Sequence, residues 1–122
     1  MKKVYKSSQD TGAPLSGACE VNGLVFLSGQ IHMVSDHLAG DTIEERFDII
    51  ISNIKNLLEK AGLTLDDIIR VQLYLTDLKD LSNLNKIYLH YFKHPLPVRT
   101  AIEVNALPLG ASLEIDVVAV RN

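Results

Sequence analysis

An arginine sits inside LPVRTAIEV (residues 96–104), a stretch that otherwise reads as a strand. A guanidinium at the base of a pocket is a good carboxylate receptor, because its planar fork of donors meets two oxygens at once. Strand alternation places Arg99, Ala101 and Glu103 on one face and Thr100, Ile102 and Val104 on the other. Near the C-terminus, Ser112, Glu114, Asp116 and Val118 share a face in the same way. If the two strands are neighbours, a cation and a carboxylate face one space, which suits holding an acid while a proton moves beside it. The same spacing also describes an ion pair that merely bridges strands or subunits. Ser28 and Gly29 of the SGQ triplet end a strand and are placed to offer backbone N–H groups to a ligand oxygen, or to make an ordinary turn. Asn85 lies inside a helical stretch, where asparagine is a poor former, so its amide is either solvated or used by the site.

Other reactive side chains form no comparable group. His90 and His94 have i, i+4 spacing, but no third metal ligand lies near and Pro95 ends the helix, so they read as polar groups at a helix C-terminus. Cys19 has no partner, excludes an intramolecular disulfide, and reads as a small buried apolar side chain. No phosphate-cradling glycine loop, nucleophile elbow or zinc ribbon is present. No metal site is expected.

The elements that must position these residues follow from periodicity. Residues 2–6 suit a short edge strand and 7–14, SSQDTGAP, a turn. Asn22-Gly23 between apolar runs predicts a hairpin with strands near 16–21 and 24–29. Residues 31–40 read as a loop. Ile43, Phe47, Ile50, Ile51, Ile54, Leu57, Leu58 and Ala61 recur at helical spacing, with Asp41 and Glu44 as a capping box and Gly62 as the stop. Ile69, Val71, Leu73 and Leu75 alternate with polar residues, which predicts a half-buried strand. Asp77 is expected to cap a second helix with Leu81, Leu84, Tyr88 and Tyr91 as its stripe, ended by Pro95 and Pro97. Strands near 98–104 and 112–120 complete a β-β-β-α-β-α-β-β order, an α+β chain with a mixed sheet in one domain, 1–122.

At 122 residues and 47% hydrophobic content, with mean hydropathy +0.12, the chain can bury a genuine core. Its net charge is −3 and its cations are scattered, which argues against nucleic acid. No apolar run approaches a membrane span, and MKKVYKSSQD turns polar too early for a signal peptide, so the expected compartment is the cytoplasm. Two helices cover only one face of such a sheet. Yet LVFL (24–27) is apolar on both faces, and Val118 and Val120 lie opposite Leu113, Ile115 and Val117. The missing cover is most cheaply a second copy of the chain, so a homo-oligomer with pockets between subunits is expected.

Four stretches, VNGLVFLSGQI, NIKNLLEKAGLTLDDIIRVQLYLTDL, NKIYLHYF and PVRTAIEVNALPLGASLEIDVVA, resemble the RidA/YjgF (reactive intermediate deaminase) family over about residues 16–120. The resemblance implies a chorismate-mutase-like fold with two helices on one sheet face. It also implies a homotrimeric barrel with sheets inward and three intersubunit clefts. It implies hydrolysis of 2-imino acids and their enamine tautomers (2-aminoacrylate, 2-iminobutanoate) to 2-keto acids and ammonia, without cofactor or metal. Such substrates would come from pyridoxal-phosphate dehydratases. Residue by residue, Arg99 matches the family's carboxylate-binding arginine and Glu114 its acidic, water-activating residue. Ser28 of the SGQ motif, with Gly29, Asn85 and Thr100 match further site positions.

Two departures bear on the site. Leu15 stands where the family has a cleft-lining tyrosine, and Ala101 where many members have cysteine. Either change can widen the pocket or weaken activity. The alternatives are a trimeric binding module for small carboxylates without turnover, an RNA-acting or translation-inhibiting protein, and a structural trimer in which Arg99 is an interface ion pair.

Overall fold

The computed structural model describes residues 1–7 and 12–122. Residues 8–11, half of the turn expected at 7–14, therefore lie outside the described residues. The strands are β1 (Lys3–Tyr5), β2 (Ala18–Val21), β3 (Leu24–Leu27), β4 (Gln30–Ile31), β5 (Met33–Val34), β6 (His37–Leu38), β7 (Ile68–Leu75), β8 (Val98–Glu103) and β9 (Leu113–Val120). The helices are α1 (Ile43–Lys60) and α2 (Leu81–Tyr91). The main sheet runs β1-β2-β3-β9-β7-β8, with β4 continuing alongside β9. Only β7 and β8 are parallel, and α2 makes their crossover.

Local chemistry explains the elements that matched their sequence signals. Asn22 and Gly23 both take positive φ, 52° and 80°, as a tight hairpin turn demands. The apolar stripe of α1 is buried in full, each large side chain contributing about 1.5–3 kcal/mol. At its end Gly62 takes φ 74°, while the Leu63 N–H donates to Leu58 and the Gly62 N–H to Glu59, both at 2.9 Å.

Four expectations shift. The capping box of α1 is Thr42 with Glu45, not Asp41 with Glu44: Thr42 Oγ1 accepts from the Glu45 N–H and Glu45 Oε1 accepts from the Thr42 N–H, each at 3.1 Å. The sequence offers both registers, and only the later one forms. Residues 31–40 are not plain loop but carry β5 and β6, because buried His32 accepts from the Ser112 N–H through Nε2 and donates through Nδ1 to Ala39 O at 2.9 Å. Asn53 of α1 adds a donor to Met33 O at 3.1 Å. In β7 a bulge between Ile68 and Arg70 turns Ile68 into the core (5% exposed) and Ile69 outward (43% exposed). Asp77 caps a short 3-10 turn, Leu78–Asp80, and α2 begins only afterwards.

Both helices pack on one face, against Val71, Leu73, Leu75, Leu113, Ile115 and Val117. Tyr91 Oη donates to Asp48 Oδ1 at 2.6 Å and ties α2 to α1, and that carboxylate pushes the phenol up to about 12. The opposite face carries Val21, Phe26 (45% exposed), Val98 (68% exposed), Ile102, Val118 and Val120. Cys19 belongs to this open face because it pairs with Phe26, so it is half-buried rather than a core residue. The same face also carries Arg70, Gln72, Tyr74, Glu114 and Asp116, and its exposed apolar side chains suit a surface that becomes covered.

Candidate active site

Arg99 lies on β8 at the outer edge of the sheet, beside α2. It pairs with Val71, a core residue, so its side chain leaves the sheet on the helix side. There Arg99 Nη1 donates to Asn85 Oδ1 at 2.8 Å. Its guanidinium also lies 4.9 Å from the centre of the Tyr88 ring. The Tyr88 ring is itself fixed by stacking on Phe92 at 4.5 Å. A cation held by an amide and an aromatic face keeps its charge unneutralised. Among the described residues no carboxylate lies within ion-pair distance of Arg99. Glu103, four residues further along the same face, accepts instead from the Leu78 N–H at 2.9 Å. Ala101 separates them and leaves room beside the guanidinium.

Glu114 lies on the other side of the sheet. It pairs with Tyr74 on one flank and Ile31 on the other, both half-buried. Its carboxyl group rests on Gly29: a Cβ there would collide with Oε2 and stand 2.8 Å from Cδ. Glycine at this position is therefore a steric requirement of the glutamate's placement. No hydrogen bond reaches the Glu114 carboxylate among the described residues, and burial, then the charge of Asp116, pushes its proton affinity above the usual carboxylate range. Asp116, two residues on, accepts from Tyr74 Oη at 2.9 Å.

Ser28 behaves differently from its expected role. Its N–H donates to Gly17 O at 2.9 Å and its hydroxyl to Ser16 O at 2.6 Å, so both donors pin the chain before β2 instead of pointing at a ligand. This clamp shapes a hollow of about 620 Å³ lined by Lys2, Leu15, Ser16, Cys19, Phe26 and Ser28. Leu15 stands at its mouth, 63% exposed.

The expected residues thus form two groups. Arg99, Asn85 and Ala101 gather on the helix side of the outer edge. Leu15, Ser28, Gly29 and Glu114 gather across β3, β4 and β9. Strand β7 separates β8 from β9, so the two strands are not neighbours and Arg99 and Glu114 leave opposite faces of one chain. Thr100 shares the open face with Glu114, away from its neighbour Arg99. His94 lies beyond the end of α2, so it holds no helical i, i+4 relation to His90. Sequence reasoning missed Tyr88 as the arginine's support, because its helical spacing reads as core, and Tyr74 as the partner of Asp116, because strand pairing is not written locally. No helix among the described residues is long and apolar enough to cross a membrane.

Comparison with known proteins agrees with this architecture. A family model described as Endoribonuclease L-PSP matches residues 6–121. Protein HMF1 of Saccharomyces cerevisiae is 36% identical over 95% of this chain and 91% of its own. The chloroplastic Reactive Intermediate Deaminase A of Arabidopsis thaliana is 32% identical over 98% of this chain and 66% of its own. The crystal structure of YyfA from Yersinia pestis, described as a protein of unknown function of the conserved Rid family, superposes with a TM-score of 0.93. That match is 34% identical and covers 99% of this chain and all of the other. Two helices on one face of a mixed sheet, matched along nearly their whole length, make this chain a member of the Rid/YjgF family.

Proposed function

We propose that the chain hydrolyses reactive 2-imino acids and their enamine tautomers to 2-keto acids and ammonia, in clefts between the copies of a homotrimer. The observation that carries the reading is the split site. Among the described residues, Arg99 presents a cation without a carboxylate and Glu114 a carboxyl without a donor, on opposite faces of one chain. A second copy packed against the open face can bring one chain's Arg99 to the next chain's Glu114. The exposed apolar side chains of the open face supply surface for that packing. The Arabidopsis relative, named a deaminase, supports the same chemistry at family level.

The steps need only a cation, a proton carrier and water. Arg99 binds the substrate carboxylate with two parallel hydrogen bonds, which fixes the imine carbon. Neutral Glu114 gives its proton to the imine nitrogen as water adds to the carbon, forming a carbinolamine. The resulting carboxylate removes a proton from the added oxygen; Glu114, protonated again, then protonates the amino nitrogen, ammonia leaves, and the carboxylate takes the remaining hydroxyl proton as the carbonyl forms. One imine and one water become one ketone and one ammonia, and Glu114 ends protonated as it began. Ser28, Gly29 and Leu15 line the cleft from the glutamate's side, and Asn85 and Ala101 from the arginine's side. Thr100 in this arrangement flanks the glutamate face. The residues that act here call for no cofactor. A pyridoxal-phosphate dehydratase is the matching source of substrate, and the cytoplasm is the proposed compartment, although the Arabidopsis relative is named as chloroplastic.

Leu15 favours a second reading. An exposed leucine at the mouth of the hollow offers a ligand grease but no hydroxyl, which suits a trimer that binds small carboxylates without turning them over. An RNA-directed activity, as the family description suggests, would instead show a steep loss of binding with salt, and the net charge of −3 opposes it. The test generates 2-iminobutanoate with a threonine dehydratase and traps surviving imine with semicarbazide. Faster imine loss with this protein, and a loss of that acceleration by at least about 100-fold in a still-oligomeric Arg99→Ala variant, is expected. Undiminished imine in the presence of wild-type protein would turn the reading to the binding module.

A further inference from the structure

The open face holds a hydrogen-bonded row that the proposed mechanism has not used. Arg70, Gln72 and Tyr74 follow one another on β7 and lead to Asp116 on β9. The Gln72 amide nitrogen donates to Tyr74 Oη at 2.7 Å, and its oxygen accepts from Arg70 Nε at 3.1 Å. Tyr74 Oη in turn donates to Asp116 Oδ2 at 2.9 Å. Register makes the row rigid: Gln72 pairs directly with Asp116, and Tyr74 with Glu114.

Tyr74 has one proton to give, and it goes to Asp116. The residue directly opposite Glu114 is therefore turned away from it. Glu114 and Asp116 occupy the same face two positions apart, about 6–7 Å at the strand rise. Resting on the deaminase reading, we infer that Asp116, clamped by Tyr74, is a positioning residue for the proton chemistry of Glu114: the row holds a second carboxylate on the same face, two residues from the one that donates to the imine.

Every element around Glu114 is consistent with this role. From β7 come Tyr74, a phenol kept protonated by burial and by Asp116, and Arg70, a cation engaged with Gln72. From β4 comes Ile31, and from the bridge before it Ser28 and Gly29, none of them charged. β8 contributes Thr100 and Ile102 to this face, also uncharged. Burial and Asp116 both raise the proton affinity of Glu114. In the assembled cleft the next copy's Arg99 opposes them, and substrate binding would neutralise that cation at the moment the proton is needed.

The sign follows. Removing a like charge lowers the proton affinity of Glu114, so the neutral acid is lost at lower pH. The experiment compares kcat/KM against pH for wild type, Asp116→Asn and Tyr74→Phe, beside a carbon-13 titration of the Glu114 side chain. Asp116→Asn is expected to move the alkaline limb, and the Glu114 titration with it, toward acid by about half to one pH unit. At pH values well below the limb its kcat/KM should stay within about two-fold of wild type. Tyr74→Phe, which leaves Asp116 in place but unclamped, should move both in the same direction by less. A merely structural role would lower the rate equally at all pH values and leave both titrations where they were, which would overturn the inference. Equally, a limb that stays fixed in Asp116→Asn while the enzyme turns over would overturn it without touching the deaminase reading. No turnover by the wild type would remove both.

Discussion

The two polar poles of this chain are built in opposite ways. At the outer edge, Arg99 is exposed and held by neutral groups, an asparagine oxygen and an aromatic face. On the open face, Glu114 is half-buried, without a hydrogen-bond donor among the described residues, and beside a second carboxylate. The first arrangement keeps a charge available to a ligand. The second makes a charge costly and so strengthens the carboxyl's hold on a proton. Neither is what an ion pair needs, because a partner for either would have been cheap to place within the chain. On the proposed reading, each pole is half of a site, and a second copy supplies the half that completes it.

The glutamate pole is the easier to break. Gly29→Ala puts a methyl where the Glu114 carboxyl now sits, and the neighbour pressed aside is the functional group itself. We expect kcat/KM for imine hydrolysis to fall by at least ten-fold while stability, measured by urea unfolding, stays within about 1 kcal/mol of wild type, because only the end of a flexible side chain has to move. Turnover like that of wild type would mean that Glu114 does not need its present position.

The arginine pole should yield more gently. Asn85→Ala removes one of the two supports of Arg99 but leaves the Tyr88 ring under it. An expected rise in KM of about three- to ten-fold with a smaller change in kcat would mark a loss of orientation. An unchanged KM would assign the holding of Arg99 to the ring alone.

Tyr88→Phe should have the smallest effect. The Tyr88 hydroxyl is buried without a hydrogen-bond partner among the described residues, so only the ring face works for Arg99. Stability within about 0.5 kcal/mol of wild type, or slightly above it, and unchanged turnover are expected. A marked loss of turnover would reveal a task for the hydroxyl and make the two poles more alike.

What was legible in the sequence is what is encoded locally. The stripe and stop of α1, the Asn22-Gly23 turn and the face alternation of β8 and β9 each depend on residues a few positions apart, and each took the expected form. The β5–β6 excursion was not legible, because two-residue strands show no period and are held by His32 and by Asn53 from a distant helix. Ile69 misled for a similar reason: a bulge resets the alternation without changing the composition. In the candidate site, the residue types and the parity of Arg99 and Glu114 could be read, but their separation could not. It follows from β7 inserting between β8 and β9, and strand order is a long-range property. Ser28 shows the same limit, since the acceptor of its hydroxyl lies on a segment whose approach no local pattern announces.

The central claim is that one chain's arginine works with another chain's glutamate. Mixing tests it most directly: Arg99→Ala and Glu114→Gln chains, each inactive alone, are unfolded together in equal amounts and refolded. Sites shared between copies would recover about one quarter of wild-type imine hydrolysis, because random assembly pairs an intact arginine with an intact glutamate at that frequency. No recovery, in oligomers shown by mass spectrometry to contain both variants, would contradict the shared site.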